Sequence, residues 1–165
     1  MPIEGIKQPK YIEIDSNLRL KAYNRVFEFA LSWYQDKDSL ELIDGKGKAA
    51  PYTIERLKKM YEFLDNLGEL YFIEKKENGR FVPVGDVTLS KSDMPIVIAK
   101  EYRSQGIGKK VITRLIQRAK ELGLGRLNVK EIYGFNLGSQ KLFLGCGFKK
   151  TASTDTGASY ALDLD

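Results

Sequence analysis

Apolar and polar positions follow two rhythms along this chain, and the rhythm changes near residue 69. In "NRVFEFALSWYQDKDSLELIDG", Val26, Phe27, Ala30, Leu31 and Tyr34 recur at spacings of one, three and four, which predicts a helical region. "GKGKAAP", Gly45 to Pro51, reads as a loop. "TIERLKKMYEFLDNLG" opens on a capping-box-like Thr53, places Leu57, Met60, Tyr61 and Leu64 on one helical face, and stops at Gly68. From there the rhythm turns strand-like. "ELYFIEKK" and "RFVPVGDVTLS" predict two strands joined at Asn78-Gly79, a hairpin signal, and Ser92-Asp93 turns the chain into a third strand, "MPIVIA". Ile107, Val111, Ile112, Leu115, Ile116, Ala119 and Leu122 then form a helical stripe over 107–122, ended by Gly123 and Gly125. "RLNVKEIYG" reads as a strand, "LGSQKLFLGCG" as a short helix, and "FKKTA" and "SYALDL" as a last pair of strands. At the front, residues 1–10 read as a loose arm, and "KYIEID" and "LRLKAY" as short strands broken at Asp15-Ser16-Asn17. This order predicts an α/β fold of the layered α+β kind: one domain over residues 1–165, with a mixed, mostly antiparallel central sheet flanked by helices.

Composition narrows the chemistry. There is no histidine among the 165 residues, which excludes Ser-His-Asp and Cys-His catalysis and histidine metal sites. The single cysteine, Cys146, forms no intrachain disulfide and reads as a buried thiol rather than a nucleophile. No metal site is read from the residues. The net charge of +5 fits an anionic cofactor, and it also fits nucleic acid. Nucleic acid is disfavoured, because the basic residues are not interleaved with aromatics and form no long arm. No apolar run approaches the length of a membrane span, and "MPIEGIKQPK" has no apolar leader core, so the expected location is cytoplasmic with no membrane partner.

One stretch carries the wrong charge for its place. "EYRSQGIGKK", Glu101 to Lys110, lies between a strand and a helix, yet it brings Arg103, Lys109 and Lys110 to a helix start, where acids are favoured. Unpaired N–H groups at a helix start bind anions, and glycine lets an anion approach closely. A P-loop needs G-x-x-x-x-G-K-[ST], but the glycines here are only two apart and Lys110 stands where Ser or Thr belongs. A dinucleotide fingerprint needs a third glycine at position 111, which is Val111. "RSQGIG" does match Gln/Arg-x-x-Gly-x-Gly/Ala, with Arg103, Gly106 and Gly108 in the fixed places. Downstream, "NLGSQKLFLGCGF" matches Asn-x-x-Ala/Ser-x-x-Leu-Tyr-x-x-x-Gly-Phe at Asn136, Ser139, Leu142, Gly147 and Phe148. In these two stretches the chain resembles the GNAT superfamily of N-acetyltransferases. It departs mildly at Lys100, where proline is frequent, and more seriously at Phe143, where the family often has tyrosine.

The resemblance implies a site for acetyl-CoA. The pyrophosphate would lie on backbone N–H groups from Gln105 through Gly106, Ile107, Gly108 and Lys109 to Lys110, with charge from Arg103, Lys109 and Lys110. The pantetheine arm would run along Ile96 to Ala99, and the Ile98 N–H would polarise the thioester carbonyl. Asn136 and Ser139 belong to the second signature. A proton must leave the attacking amine, and without histidine the candidate bases are carboxylates: Asp93 near the family's usual place, with Asp86 and Glu69 as rivals. Asp93 also reads as a turn former. Asp86 is the more surprising residue, lying in an otherwise apolar strand. With Phe143 lacking a hydroxyl, Tyr133, Ser139 or water are the candidates for protonating the leaving thiolate.

The acceptor is read from the first helical region. Trp33 and Tyr34 among Asp36, Asp38, Glu41 and Asp44 suit a cationic small molecule such as an aminoglycoside or polyamine, while the same acids on an amphipathic helix also suit plain solvation. Two alternatives stand: a protein or peptide acetyltransferase acting on an N-terminus or lysine, and a non-catalytic acyl-CoA-binding module. The residues do not set the oligomeric state, and a homodimer is among the arrangements open to the chain.

Overall fold

The rhythms seen in the sequence become two antiparallel sheets and four α-helices in the computed structural model, which describes residues 5–165. The first sheet has the order β1(Tyr11–Asp15), β2(Leu18–Ala22), β3(Glu69–Glu77), β4(Arg80–Leu89), β5(Ile96–Ile98). The second has the order β6(Arg126–Tyr133), β8(Gly157–Asp163), β7(Lys149–Ser153). Helices α1(Lys37–Asp44) and α2(Ile54–Leu67) lie between β2 and β3, α3(Ile107–Glu121) follows β5, and α4(Leu137–Gly145) follows β6. The layered α/β class with a mostly antiparallel sheet stands. Every ladder among the described residues is antiparallel, and the strands divide into two sheets.

Local chemistry explains most of the joints. Asn78 and Gly79 both have positive φ, 50° and 79°, as a type I′ hairpin requires. Asp36, Thr53 and Asn136 each accept a hydrogen bond from the backbone N–H three residues on, capping α1, α2 and α4. The predicted first helical region is split. A 3-10 segment, Glu28–Tyr34, comes first, and Asp36 then restarts the chain as α1. Gly68 ends α2 as expected but for a different reason from a left-handed cap. Its φ is −173°, ordinary extended backbone, and a Cβ there would strike the Leu89 carbonyl. Residues 1–4 of the expected arm lie outside the described residues. The arm's later part is stitched down rather than loose: Gln8 donates to the Leu70 carbonyl, Arg118 to that of Lys7, and Ala22 N–H to that of Lys10.

Two cores lie on opposite faces of the first sheet. One is largely aliphatic and includes Val111, Ile112, Leu115, Val87, Ile73, Phe143 and Phe148, with Ile96 and Ile98 packed at its margin. Burying a side chain of this kind contributes about 1.5–3 kcal/mol. The other core is aromatic: Phe27, Trp33, Tyr34, Tyr52, Tyr61 and Phe72 with Leu40, Leu57 and Leu64. An ion pair that the sequence did not suggest crosses to α3, where Arg118 grips the fully buried Glu69 at 2.7 and 3.0 Å. Tyr71 donates to the same carboxylate at 2.6 Å, so Glu69, a rival base in the sequence, is saturated by structural partners. Among the described residues no helix is long and apolar enough to cross a membrane.

Candidate active site

Strand β5 ends the first sheet. Thr88 N–H donates to the Pro95 carbonyl and Ala99 N–H to that of Val84. Backbone groups alternate in direction along a strand, so Val97 faces β4, while Ile96 and Ile98 turn theirs to the outer edge. Gly85 makes this close pairing feasible. It sits opposite Ile98, and a Cβ there would collide with the Val97 carbonyl and come within 3.2 Å of the Ile98 Cα.

The chain then turns through a 3-10 segment, Lys100–Tyr102, and enters α3. Ser104 and Gly106 both take positive φ, 61° and 79°, and Gly106 is the left-handed N-cap residue. Unlike the other three α-helices, α3 has no side chain capping its start. Its first-turn N–H groups therefore lack the usual protein acceptor. Gly106 is exposed with open space around its Cβ position, Ile107 anchors the turn in the aliphatic core, and Lys109 is exposed. This cradle fits an anionic, strand-like ligand: N–H donors at one end and outward-turned backbone groups along β5.

Several expected contributions are placed differently. Gly108 is buried, and a Cβ on it would meet Leu142 of α4 at 3.1 Å and Ile98 at 3.4 Å. Its clearance therefore serves the packing of α3 on α4 and β5 rather than the approach of a phosphate. Arg103 points away from the helix start and donates to the Ile98 carbonyl at 3.0 Å and to Ser39 Oγ at 2.9 Å. Lys110 pairs with Asp15 at 3.0 Å, and Gln105 donates back to the Glu101 carbonyl at 3.2 Å. Asn136 Oδ1 accepts from Ser139 N–H, so that pair caps α4, the helix whose Leu142 touches Gly108.

The three expected catalytic residues do not come together. Asp93 holds the β4–β5 turn: its N–H donates to Ser90 Oγ, and its Oδ1 accepts from Lys130 N–H of β6 at 2.9 Å. Tyr133 stacks on Phe135 at the end of β6, with its hydroxyl 3.6 Å from where a Gly45 Cβ would stand. Burial, with Glu131 and Asp44 adding to it, raises its phenol above the ordinary value. Asp86 is 1% exposed and lies on the aromatic face opposite Phe72 and Val97. Tyr34 and Tyr61 donate to its Oδ2 at 2.6 and 2.8 Å, and desolvation still pushes the carboxyl up to about 6. An apolar strand broken by one carboxylate was the visible signal, but the tyrosine clasp was not. Cys146 is half-buried rather than buried as expected, and desolvation still raises its thiol, in keeping with an inert residue.

The acceptor-side acids are largely engaged. Asp36 caps α1, Glu41 accepts from Gly47 N–H, and Asp44 is held by Tyr52 and Arg56. Only Asp38 keeps a side chain 76% exposed, with Lys100 at 3.9 Å. Trp33 and Tyr34 are buried in the aromatic core.

Comparison with known proteins agrees with this architecture. A domain from Methanocaldococcus jannaschii superposes with a TM-score of 0.78 at 20% identity, covering 91% of this chain and 100% of that one. Spermidine N-acetyltransferase from Vibrio cholerae, solved with CoA and spermine, gives 0.73 at 18% identity over 90% and 96% of the two chains. An acetyl transferase from Salmonella typhimurium that modifies the N-terminal serine of ribosomal protein L7/L12 gives 0.72 at 15% identity over 94% and 99%. These likenesses are likenesses of fold. No curated protein matches the chain in sequence. The model of the acetyltransferase (GNAT) family matches residues 27–148, from the 3-10 segment before α1 to the end of the second signature, and the chain belongs to that family.

Proposed function

We propose that this acetyltransferase takes acetyl-CoA as donor and a primary amine carrying a single positive charge as acceptor. The observation that carries the donor is the continuity of the cradle: the outward-turned groups of Ile96 and Ile98 lead directly to the uncapped start of α3 at Gly106. The solved relative from Vibrio cholerae was obtained with CoA, which supports the same reading. Bound, acetyl-CoA supplies a thioester carbonyl open to attack by an amine. The Ile98 N–H is the donor positioned to hydrogen-bond a carbonyl on the β5 edge. N–H groups from Gln105 to Lys109 and the Lys109 ammonium bind phosphate, while the Lys110 N–H already donates to the Gly106 carbonyl at 3.3 Å.

Asp86 is the base we favour. Burial raises the proton affinity of this carboxyl toward neutrality, and its strand neighbours Val97 and Ile98. Tyr34 and Tyr61, which donate to it, would relay the proton from the amine. Asp93 is committed to Lys130, and Phe143 offers no proton. Tyr133 remains the candidate acid for the leaving thiolate, tested by Tyr133→Phe.

A polyamine or aminoglycoside presents several cations and needs several unpaired acids. The α1 segment offers one largely exposed acid, Asp38, with Lys100 already 3.9 Å away, which supports a peptide N-terminus or a small monoamine instead. Thermal shift with acetyl-CoA and with CoA, followed by thiol release over a panel of peptides, monoamines, spermidine and an aminoglycoside, tests both halves. We expect stabilisation by both nucleotides, with fastest release for singly charged amines. No stabilisation would sink the donor, and fastest release with spermidine or the aminoglycoside would sink the acceptor class. Asp86→Asn should lower kcat by about 100-fold while keeping the shift with CoA.

A further inference from the structure

We infer that Arg103 is a positioning residue that joins the acceptor-side helix to the donor strand, rather than a cation for phosphate. The inference rests on the acetyltransferase reading for its functional meaning, though not for its geometry. Arg103 Nε donates to the Ile98 carbonyl at 3.0 Å, and its terminal nitrogen donates to Ser39 Oγ at 2.9 Å. Ser39 is 1% exposed on the first turn of α1, where Asp36 also caps its N–H. A planar guanidinium holds two acceptors in fixed directions at once, which a lysine ammonium on a flexible stem does not do. Both of Arg103's partners are neutral oxygens inside the fold, so these contacts fix position and neutralise no charge.

The consequence is a mechanical link. Ile98 is the residue whose N–H faces the outer edge of β5, and its carbonyl, on the same edge, is fixed by Arg103. The same guanidinium fixes the start of α1, whose far end meets Tyr133 through Gly45. The longer Lys100–Asp38 contact runs in parallel but is solvent-exposed and weak. Holding the β5 edge in place therefore also holds α1, and the acceptor meets a surface already set in register with the donor. If Arg103 served only as phosphate charge, lysine would replace it.

Three variants decide this: Ser39→Ala, Arg103→Lys and Arg103→Gln. Hydrogen exchange of the α1 amides in the ligand-free protein reads the link directly, calorimetry with CoA reads donor affinity, and steady-state kinetics reads the acceptor KM. Loss of a charge-assisted hydrogen bond corresponds to roughly tenfold. We expect Ser39→Ala and Arg103→Lys each to speed α1 exchange and raise acceptor KM by about that factor, with CoA affinity after Ser39→Ala within about twofold of wild type. Unchanged exchange in both would overturn the link. So would Arg103→Lys behaving as wild type while Arg103→Gln alone weakens CoA binding, the pattern of a phosphate cation. Should wild type fail to bind CoA, the donor reading falls, and the exchange measurement still decides whether the guanidinium joins α1 to β5.

Discussion

The two faces of the five-stranded sheet are built from different materials. On the aliphatic face, the donor cradle is made of backbone: strand-edge groups at Ile96 and Ile98, helix-start N–H groups after Gly106, and glycines where chains approach closely. On the aromatic face, the working groups are side chains: a carboxylate under two tyrosines, surrounded by Phe72, Trp33 and Phe27. A backbone site depends on spacing and clearance and accepts many side chains. A side-chain site depends on a few particular groups and their desolvation. Perturbing each face should therefore fail in a different way.

The largest effect should come from closing the clearance under the donor edge. Gly85→Val places branched carbon against the Val97 carbonyl, a backbone atom that cannot swing aside. Overpacking of this kind costs about 3 kcal/mol. Urea denaturation should show that loss, and CoA-induced stabilisation should shrink with it. Stability within about 0.5 kcal/mol of wild type would mean that β5 does not need its close seat on β4.

The aromatic face should reveal itself through pH. Asp86 is raised from 3.8 to about 6 by burial, so the native state holds this proton more tightly than the unfolded chain does. Its contribution is greatest below pH 4, falls as pH rises through the window from about 4 to about 6, and is absent above it. A shift of that size corresponds to something on the order of 3 kcal/mol. Asp15 and Glu131, both held below their ordinary values, work in the opposite direction, losing stability as pH falls. The difference between wild type and Asp86→Asn therefore isolates the effect. The variant should gain on wild type between pH 4 and 6 and be no less stable at pH 7. A parallel pair of curves would break the contrast between the faces.

Gly108 sharpens the donor side further. Its missing Cβ spares the flexible end of Leu142, at 3.1 Å, so Gly108→Ala should cost only about 1 kcal/mol. The loss should appear as weaker α3–α4 packing in denaturation, with the CoA affinity little changed. A large fall in affinity without loss of stability would return Gly108 to the phosphate.

The contrast also explains what the sequence disclosed. Backbone sites write themselves as glycines at set distances, so "RSQGIG" and its distance to "NLGSQKLFLGCGF" were legible, as was the order of elements. Legibility stopped at side-chain direction. Arg103 looked like a phosphate cation because spacing places it beside the turn, but the hydroxyl that claims it, Ser39, lies 64 positions away in sequence. Trp33, Tyr34 and the α1 acids looked like a binding box. Two of the roles there, the Tyr34–Asp86 bond and the Asp44 grip by Tyr52 and Arg56, are long-range or cross-loop contacts that no local pattern records. Asp86 was conspicuous as a charge in an apolar strand, yet its partners Tyr34 and Tyr61 come from two other segments.

The smallest effect concerns the cations that first drew notice at the start of α3. Lys110 already has a partner: the Asn17 N–H and then the Lys110 ammonium hold the Asp15 carboxyl below its ordinary value. Lys109 has no ion pair among the described residues and is exposed beside the uncapped turn. An exposed charge near a helix start contributes about 0.5–1 kcal/mol to an anion, and salt screens it over about 10 Å at 0.1 M. Lys109→Ala should therefore weaken CoA binding about three- to fivefold at low salt, and Lys110→Ala less, because the Lys110 ammonium is held on Asp15 at 3.0 Å rather than left free for phosphate. Both effects should fade toward wild type in calorimetry as salt rises, the Lys110 effect being the smaller throughout. If Lys109→Ala were silent at low salt, the cradle would bind phosphate through N–H groups alone, and the donor face would be a backbone site without side-chain charge.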